Sequence, residues 1–347
     1  MSQITSPALI NRQWRLVNRP AGDVEPDDFG YHETDIPTIG DGEVLVRTLY
    51  FGYDASQRIW ITDDGGYMPP VQIGEPMRTM GIGQAVASND SAYVVGDFVE
   101  GFMSWQDYVV ARSDGPMPLR VLPLADYPLS WNLGVFGVGG LTAYFGVVDG
   151  LKVKPGDTVV VSAATGATGS LAGAIAKALG AKKVIGIAGG PDKCRWVVEE
   201  AGYDAAIDYK NDDIAARLQE LCPDGVDAYF DNVGGEMLDT LLLHMAPLGR
   251  VLICGAMSSG YTDVEVPGPK NYMRICTHQL TVQGILLFFY RDRLAEGAAQ
   301  LAEWVAEGRL HVEENIVEGF DNAPALLPTM FSGKKPGKLV LKVADPA

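Results

Sequence analysis

The sequence predicts an α/β chain, with a doubly wound parallel sheet joined to a second, irregular β-barrel domain. Three observations carry that expectation. Asp157 to Lys193 reads as strand, Gly-rich turn, helix and strand, the unit that holds a dinucleotide pyrophosphate at a helix N-terminus. From there to Glu307 apolar strand-like runs alternate with helical ones, as in a parallel sheet covered on both faces. Before residue 125, apolar and alternating segments are separated by Gly, Pro and Asp turns, which suits a small barrel of irregular strands.

The clearest early strand is Glu43–Tyr50, launched by the Asp41-Gly42 turn and rich in β-branched residues. Similar segments recur at Gly81–Ala87, Asp97–Phe102 and Asp107–Ala111. Tyr127–Asn132 opens a transition, and a helix is expected from about Leu141. Gly137, Gly139 and Gly140 beside it permit close backbone approach, either to a ligand or to another helix.

Thr158–Ala163 is an apolar, β-branched run of the kind buried on both faces of a parallel sheet. Gly166 and Gly169 follow at once in the spacing Ala-x-x-Gly-x-x-Gly, a variant of the usual glycine fingerprint. Ser170–Leu179 continues as an Ala/Leu-rich helix closed by Gly180, and Val184–Ile187 is the next strand. An NAD site places a carboxylate at the end of that strand to hold the ribose 2′-hydroxyl. Here the strand runs into Ala188-Gly189-Gly190-Pro191, with the first carboxylate at Asp192 and an ammonium at Lys193. The missing acid and the nearby lysine favour the 2′-phosphate of NADP, although Lys193 also reads as an ordinary solvated residue at a helix start.

The alternation continues through strands at Asp204–Tyr209, Val226–Asn232, Arg250–Gly255 and Leu280–Leu287, and helices at Ile214–Leu221, Met237–Met245 and Leu294–Glu307. Ligands of such sheets bind at the carboxyl ends of the strands, which nominates Ala163–Thr165, Asn232–Gly235, Cys254–Ser258 and Leu287–Tyr290. Leu339–Val343 is a last strand expected to return to the N-terminal domain.

A chain of 347 residues with a formal charge of −17 has length for two domains and no basic face for nucleic acid. The uncharged stretches Tyr127–Val148 and Thr158–Ala176 are broken by glycines and hydroxyl residues, so no membrane span is expected. The first residues lack an apolar secretory core, and Cys194, Cys222, Cys254 and Cys276 have no framework spacing, which fits a cytoplasmic setting. No cysteine precedes residue 194 and His32 is the only early histidine, so the N-terminal half offers no set of zinc ligands.

Several motifs together resemble the zinc-independent medium-chain dehydrogenase/reductases, in the branch of alkenal/enone, prostaglandin and curcumin reductases. They are DGEVLVRTLY (Asp41–Tyr50), GEPMR (Gly74–Arg78), WQDYVV (Trp105–Val110), GLTAYFG (Gly140–Gly146), GATGSLAG (Gly166–Gly173), FDNVGGE (Phe230–Glu236), GRVLICGA (Gly249–Ala256) and EGFDNAP (Glu318–Pro324). The resemblance implies a GroES-like domain of residues 1–125 and 315–347, a Rossmann NADP-binding domain of 126–314, and a homodimer joined across the last sheet strand. It also implies hydride transfer from NADPH to the β-carbon of an α,β-unsaturated ketone or aldehyde. On this resemblance Gly166, Gly169 and Ser170 flank the pyrophosphate, Lys193 and Tyr209 contact the 2′-phosphate, and Ala167, Thr168 and Gly189 are further coenzyme-binding residues. Thr142, Asn232, Cys254, Gly255, Ala256, Ser258, Leu287, Phe288 and Lys335 complete the coenzyme contacts. The chain departs from the family at Asp54–Arg58, at Val138-Gly139, at Thr277 and at Lys335, where the family has an asparagine.

Reduction of an enone develops negative charge on the carbonyl oxygen, which needs a hydrogen-bond donor. No Ser/His/Asp arrangement supplies one. The candidates are the coenzyme ribose hydroxyl and a tyrosine, with Tyr53 and Tyr272 put first and Tyr67 and Tyr290 behind them. Phe288 and Phe289 read either as walls of an apolar pocket or as interface residues. Two alternatives stand beside this reading: an NADPH quinone reductase, and a non-catalytic NADPH-binding protein of the same fold.

Overall fold

The computed structural model describes residues 10–347 except 65, 124, 263–266 and 334. The strands and helices that matter here run, in chain order, β1 Ile10–Leu16, β2 Phe29–Asp35, β3 Val44–Gly52, β4 Arg78–Ser88, β5 Phe98–Ser104, β6 Tyr108–Ala111, β7 Arg120–Val121, α1 Val138–Phe145, β8 Thr158–Ser162, α2 Ala167–Ala178, β9 Lys183–Ala188, α3 Pro191–Glu199 and β10 Ala205–Asp208. They continue with α4 Ile214–Leu221, β11 Val226–Asp231, α5 Gly235–His244, β12 Met245–Ile253, α6 Met273–Thr277, β13 Thr281–Gly284, α7 Leu294–Ala306, β14 Glu314–Glu318 and β15 Lys338–Lys342.

Two units emerge. The first takes the described residues up to Leu133 with 316–332 and 339–347, and the second takes 134–315 with 333–338. In the first, β14-β15-β3-β4-β5-β7 form one sheet, antiparallel from β15 to β7, with β6 also paired to β3 and β1 paired to β2. The C-terminal strand returns as the sequence predicts, Val340 lying opposite Gly52. The unit extends to Leu133 because that residue packs with Ile82, Leu122 and Val340 in one apolar cluster. Strands β1 and β2 were not legible in the sequence. Their residues are largely polar, and their order comes from pairing with each other and from distant segments, Trp14 N–H donating to Trp105 O at 2.9 Å and Arg12 pairing with Asp107 at 2.8 Å.

In the second unit the described strands lie in the order β10-β9-β8-β11-β12-β13, all parallel. Numbered within the unit this is 3-2-1-4-5-6, so the strand order reverses between β8 and β11. Val159, Val160 and Val161 are fully buried, which is why β8 reads as an unbroken apolar run. The expected strand Leu280–Leu287 is shorter. Its pairing with β12 runs through Gly284, Ile285 N–H donates to Ile253 O at 3.1 Å where β12 ends, and Leu287–Arg293 is a 3₁₀ helix. No helix among the described residues is long and apolar enough to cross a membrane.

Helix α1 starts at Val138, earlier than expected, and of the two glycines in its first turn Gly140 serves the chain's own packing. A Cβ on Gly140 would lie 1.8 Å from Val135 O, whereas one on Gly139 would meet Ala167 Cβ at an ordinary 3.5 Å. The two positions therefore respond differently to one added methyl. Gly140→Ala is expected to cost about 1–3 kcal/mol, and Gly139→Ala close to nothing. Urea unfolding of the two variants measures the contrast.

Candidate functional site: a dinucleotide cradle

The turn between β8 and α2 is shaped by close approach. Ala163 adopts φ +48°, and Gly166 N–H donates back to Ala163 O at 2.9 Å. A Cβ on Gly169 would sit 2.3 Å from Ala163 O, so only glycine lets the helix start so near the strand. Tyr203 fixes the same turn from below, its hydroxyl donating to Gly169 O at 2.5 Å. The first turn of α2 has neither a side-chain cap nor an acidic residue. Its leading N–H groups, those of Ala167, Thr168 and Gly169, are the ones that a helix leaves for an anion. Ser170 is buried directly behind them.

The segment 333–338 closes one side of this turn. Gly337 N–H donates to Thr165 O at 2.9 Å, and Lys338 N–H to Glu313 O at 2.9 Å. Lys335 is exposed and its ammonium donates to Asn315 Oδ1 at 3.3 Å. Thr142 is half-buried on α1, a helix that packs against α2.

At the ends of β9 and β10 a second cluster forms. Tyr209, 49% exposed, lies over Gly189, where an added Cβ would be 2.7 Å from the ring. Asp208 holds the adjoining turn by accepting from Gly190 N, Lys210 N and Asn211 Nδ2 at 2.7, 3.1 and 2.6 Å, which keeps its carboxyl below the usual range, with Asn211 the largest cause. Asp208 is therefore already engaged with its own loop. Partial burial, and then the Lys210 ammonium, hold Lys193 below the usual lysine range. Two like charges that act on each other in this way suit a phosphate dianion. Lys210 is the residue that sequence reading passed over. Its position next to Tyr209 at a strand end was the available signal.

The strand ends across the sheet reversal are tied together. Asn232 N–H donates to Ser162 Oγ at 2.9 Å, and Asn232 Nδ2 to Ser162 O at 2.7 Å. Cys254 N and Gly255 N donate to Asp231 O, and Ser258 Oγ donates to Val233 O at 2.7 Å. Ala256 N–H donates to the Tyr261 hydroxyl at 2.9 Å, with Tyr261 held at φ +54°. Tyr261 also escaped the sequence reading. Burial pushes the Cys254 thiol up to about 12, so it stays protonated at neutral pH.

The remaining nominees scatter. Tyr53 is 0% exposed in the core of the first unit, and its hydroxyl donates to Ala323 O at 2.9 Å. Tyr67 accepts from Trp60 Nε1, and Tyr290 stacks on Phe145 at 4.4 Å. Tyr272 stands at the start of α6, 60% exposed. Leu287 and Phe288 are half-buried in the turn after β13, while Phe289 is 86% exposed.

Comparison with known proteins bears on this arrangement. Residues 12–119 match the model described as the N-terminal domain of oxidoreductase, and residues 167–304 the model described as zinc-binding dehydrogenase. The NADPH-dependent curcumin reductase of Escherichia coli is 38% identical over 342 residues, covering 96% of this chain and 97% of that protein. The chain belongs to the medium-chain dehydrogenase/reductases, in the branch of the alkenal, prostaglandin and curcumin reductases. Prostaglandin reductase 1 of Bos taurus, another member, is 36% identical over 334 residues, covering 95% of this chain and 98% of its own. The crystal structure of CurA from Vibrio vulnificus in complex with NADPH superposes with a TM-score of 0.89 at 36% identity, covering 96% of this chain and 100% of that one. Despite the description of the second family model, no group of three or more His, Cys, Asp or Glu side chains is arranged to hold a metal among the described residues.

The depressed Lys193 sets a sign. A bound dianion raises the pKa of that lysine, so binding carries proton uptake; affinity is full at low pH and falls as pH rises through the lysine titration. NADPH affinity is expected to weaken toward alkaline pH, beginning below the usual lysine range, while NADH affinity stays flat. Lys193→Met should raise the NADPH Kd by about 10–100-fold and remove that pH dependence. Fluorescence titration across pH tests both.

Proposed function

We propose that this chain uses NADPH to reduce the carbon–carbon double bond of α,β-unsaturated ketones or aldehydes, delivering hydride to the β-carbon. Its class, an NADP-dependent oxidoreductase, is that of its family. The observation that carries the coenzyme choice is that Asp208, the acid at these strand ends, is bonded into its own loop, while the Lys193 and Lys210 charges act on each other. The acceptor class rests on relatives named for curcumin and prostaglandin.

The roles follow from the geometry. The N-terminal N–H groups of α2 hold the pyrophosphate, with Gly166, Gly169 and Ser170 allowing its approach. Lys193, Lys210 and Tyr209 take the 2′-phosphate. Asn232, Cys254, Gly255, Ala256 and Ser258 line the nicotinamide side, and Thr142, Leu287, Phe288 and Lys335 complete the surround. The bound coenzyme supplies the hydride. A donor must then meet the carbonyl oxygen as charge builds on it, and we assign that donor to Tyr261. Its hydroxyl accepts from Ala256 N–H at the carboxyl end of β12, whereas Tyr53 is buried in the core of the first unit. The protonated Cys254 thiol makes nucleophilic attack by that residue unfavourable, and water supplies the α-carbon proton.

The working protein on this reading is a cytoplasmic homodimer. β13 is an edge strand whose Thr281 and Val282 face outward, ready to pair with a second copy. Val282→Lys should shift the chain to monomer in light scattering after gel filtration, and an unchanged mass would discard the β13 interface.

Purified chain is expected to oxidise NADPH in the presence of an alkenal or an enone and much more slowly with NADH. Tyr261→Phe should lower kcat by about 10²-fold with NADPH binding largely kept. Turnover with naphthoquinone alone would move the assignment to quinone reduction. Tight NADPH binding with no turnover on any acceptor would make the chain a binding protein.

A further inference from the structure

Asp231 ends β11 at the reversal of strand order, and it is 0% exposed. Four donors converge on its Oδ1: Tyr229 OH at 2.8 Å, Gly234 N–H at 2.9 Å, Val233 N–H at 3.0 Å and Ser162 Oγ at 3.2 Å. An oxygen that accepts from four donors behaves as part of an ionised carboxylate. Its Oδ2 has no hydrogen-bond partner, and no cation pairs with Asp231 among the described residues.

This carboxylate organises more than its own turn. Its backbone carbonyl takes Cys254 N–H and Gly255 N–H, and the turn that it pins offers Val233 O to Ser258. Both loops assigned to the nicotinamide side therefore hang on one residue. Removing the hydrogen bonds would loosen the loops; removing only the charge would leave them in place. That difference separates a packing role from an electrostatic one.

A buried negative charge with one bare oxygen does not treat the two coenzyme states alike. The nicotinamide ring is cationic in NADP+ and neutral in NADPH, whereas the adenosine and phosphate portions are common to both. Inside the protein the anion is poorly screened.

We propose that Asp231 is the positioning residue of the nicotinamide side, and that its charge selectively stabilises the oxidised ring, making the bound coenzyme a better hydride donor. The proposal rests on the NADP reading above. Asp231→Asn keeps an acceptor for the four donors and deletes the charge. Titrating the purified variant with each coenzyme form, without acceptor substrate, reads the effect directly. The ratio of the NADP+ Kd to the NADPH Kd should rise on the order of fivefold relative to the unmodified chain. Equal weakening of both forms would reduce Asp231 to a structural part, and no change in either would remove it from the site; both outcomes overturn the proposal.

If the Asp231→Asn variant does not fold, Tyr229→Phe serves in its place. It strips one donor from Oδ1 and leaves the negative charge less offset, so the same ratio should fall at constant pH. A ratio that stays unchanged overturns the proposal equally. An unmodified chain that binds neither coenzyme form would instead sink the NADP assignment on which this rests.

Discussion

The cradle depends on how the ends of β8 and β11 are clasped. Backbone ladders hold the two strands in register through Phe230 and Val161. Beyond that point side chains take over: Asn232 reaches Ser162 twice, and Ser162 in turn reaches Asp231. Dinucleotides cross a doubly wound sheet where the strand order reverses, and here that crevice is bounded by polar groups already bonded to one another. Hydrogen bonds that interlock in this way stiffen the crevice, although Asp231 Oδ2 takes no part in them, and on the function proposed here that stiffness suits holding a ring in place for hydride transfer.

Charge is distributed unevenly around this clasp. The chain as a whole is strongly acidic, with a formal charge of −17, yet its coenzyme is a polyanion. The conflict is resolved locally. The first turn of α2 carries no acid, Asp208 is occupied by its own loop, and the Lys193 and Lys210 charges act on each other. Such a patch acts at short range, while the acidic surface elsewhere is screened by salt.

Much of the fold was legible. Val159–Val161 signalled a buried strand through their β-branched run, and the Ala/Leu pattern after Gly169 marked α2. The edges were less clear. β1 and β2 carry too little apolar pattern to announce themselves, and the last sheet strand stops early because its neighbour β12 does. Among the site residues, those in glycine-rich turns stood out because close approach demands a particular residue. Lys210 and Tyr261 did not, since nothing in a lysine or a tyrosine read singly shows which strand end it faces.

What the sequence by itself determined was the parallel sheet, the glycine turn, the absence of an acid after β9 and the family to which these motifs point. These are local properties, set by side-chain period and by the backbone angles that glycine allows. Only the tertiary structure decided that Tyr53 lies in a core, that Lys193 feels the charge of Lys210, and that one buried aspartate, through its carboxylate and its backbone carbonyl, holds two loops more than twenty residues apart in the chain. Those facts depend on contacts between distant segments, and burial and field strength exist only once the chain has folded around them.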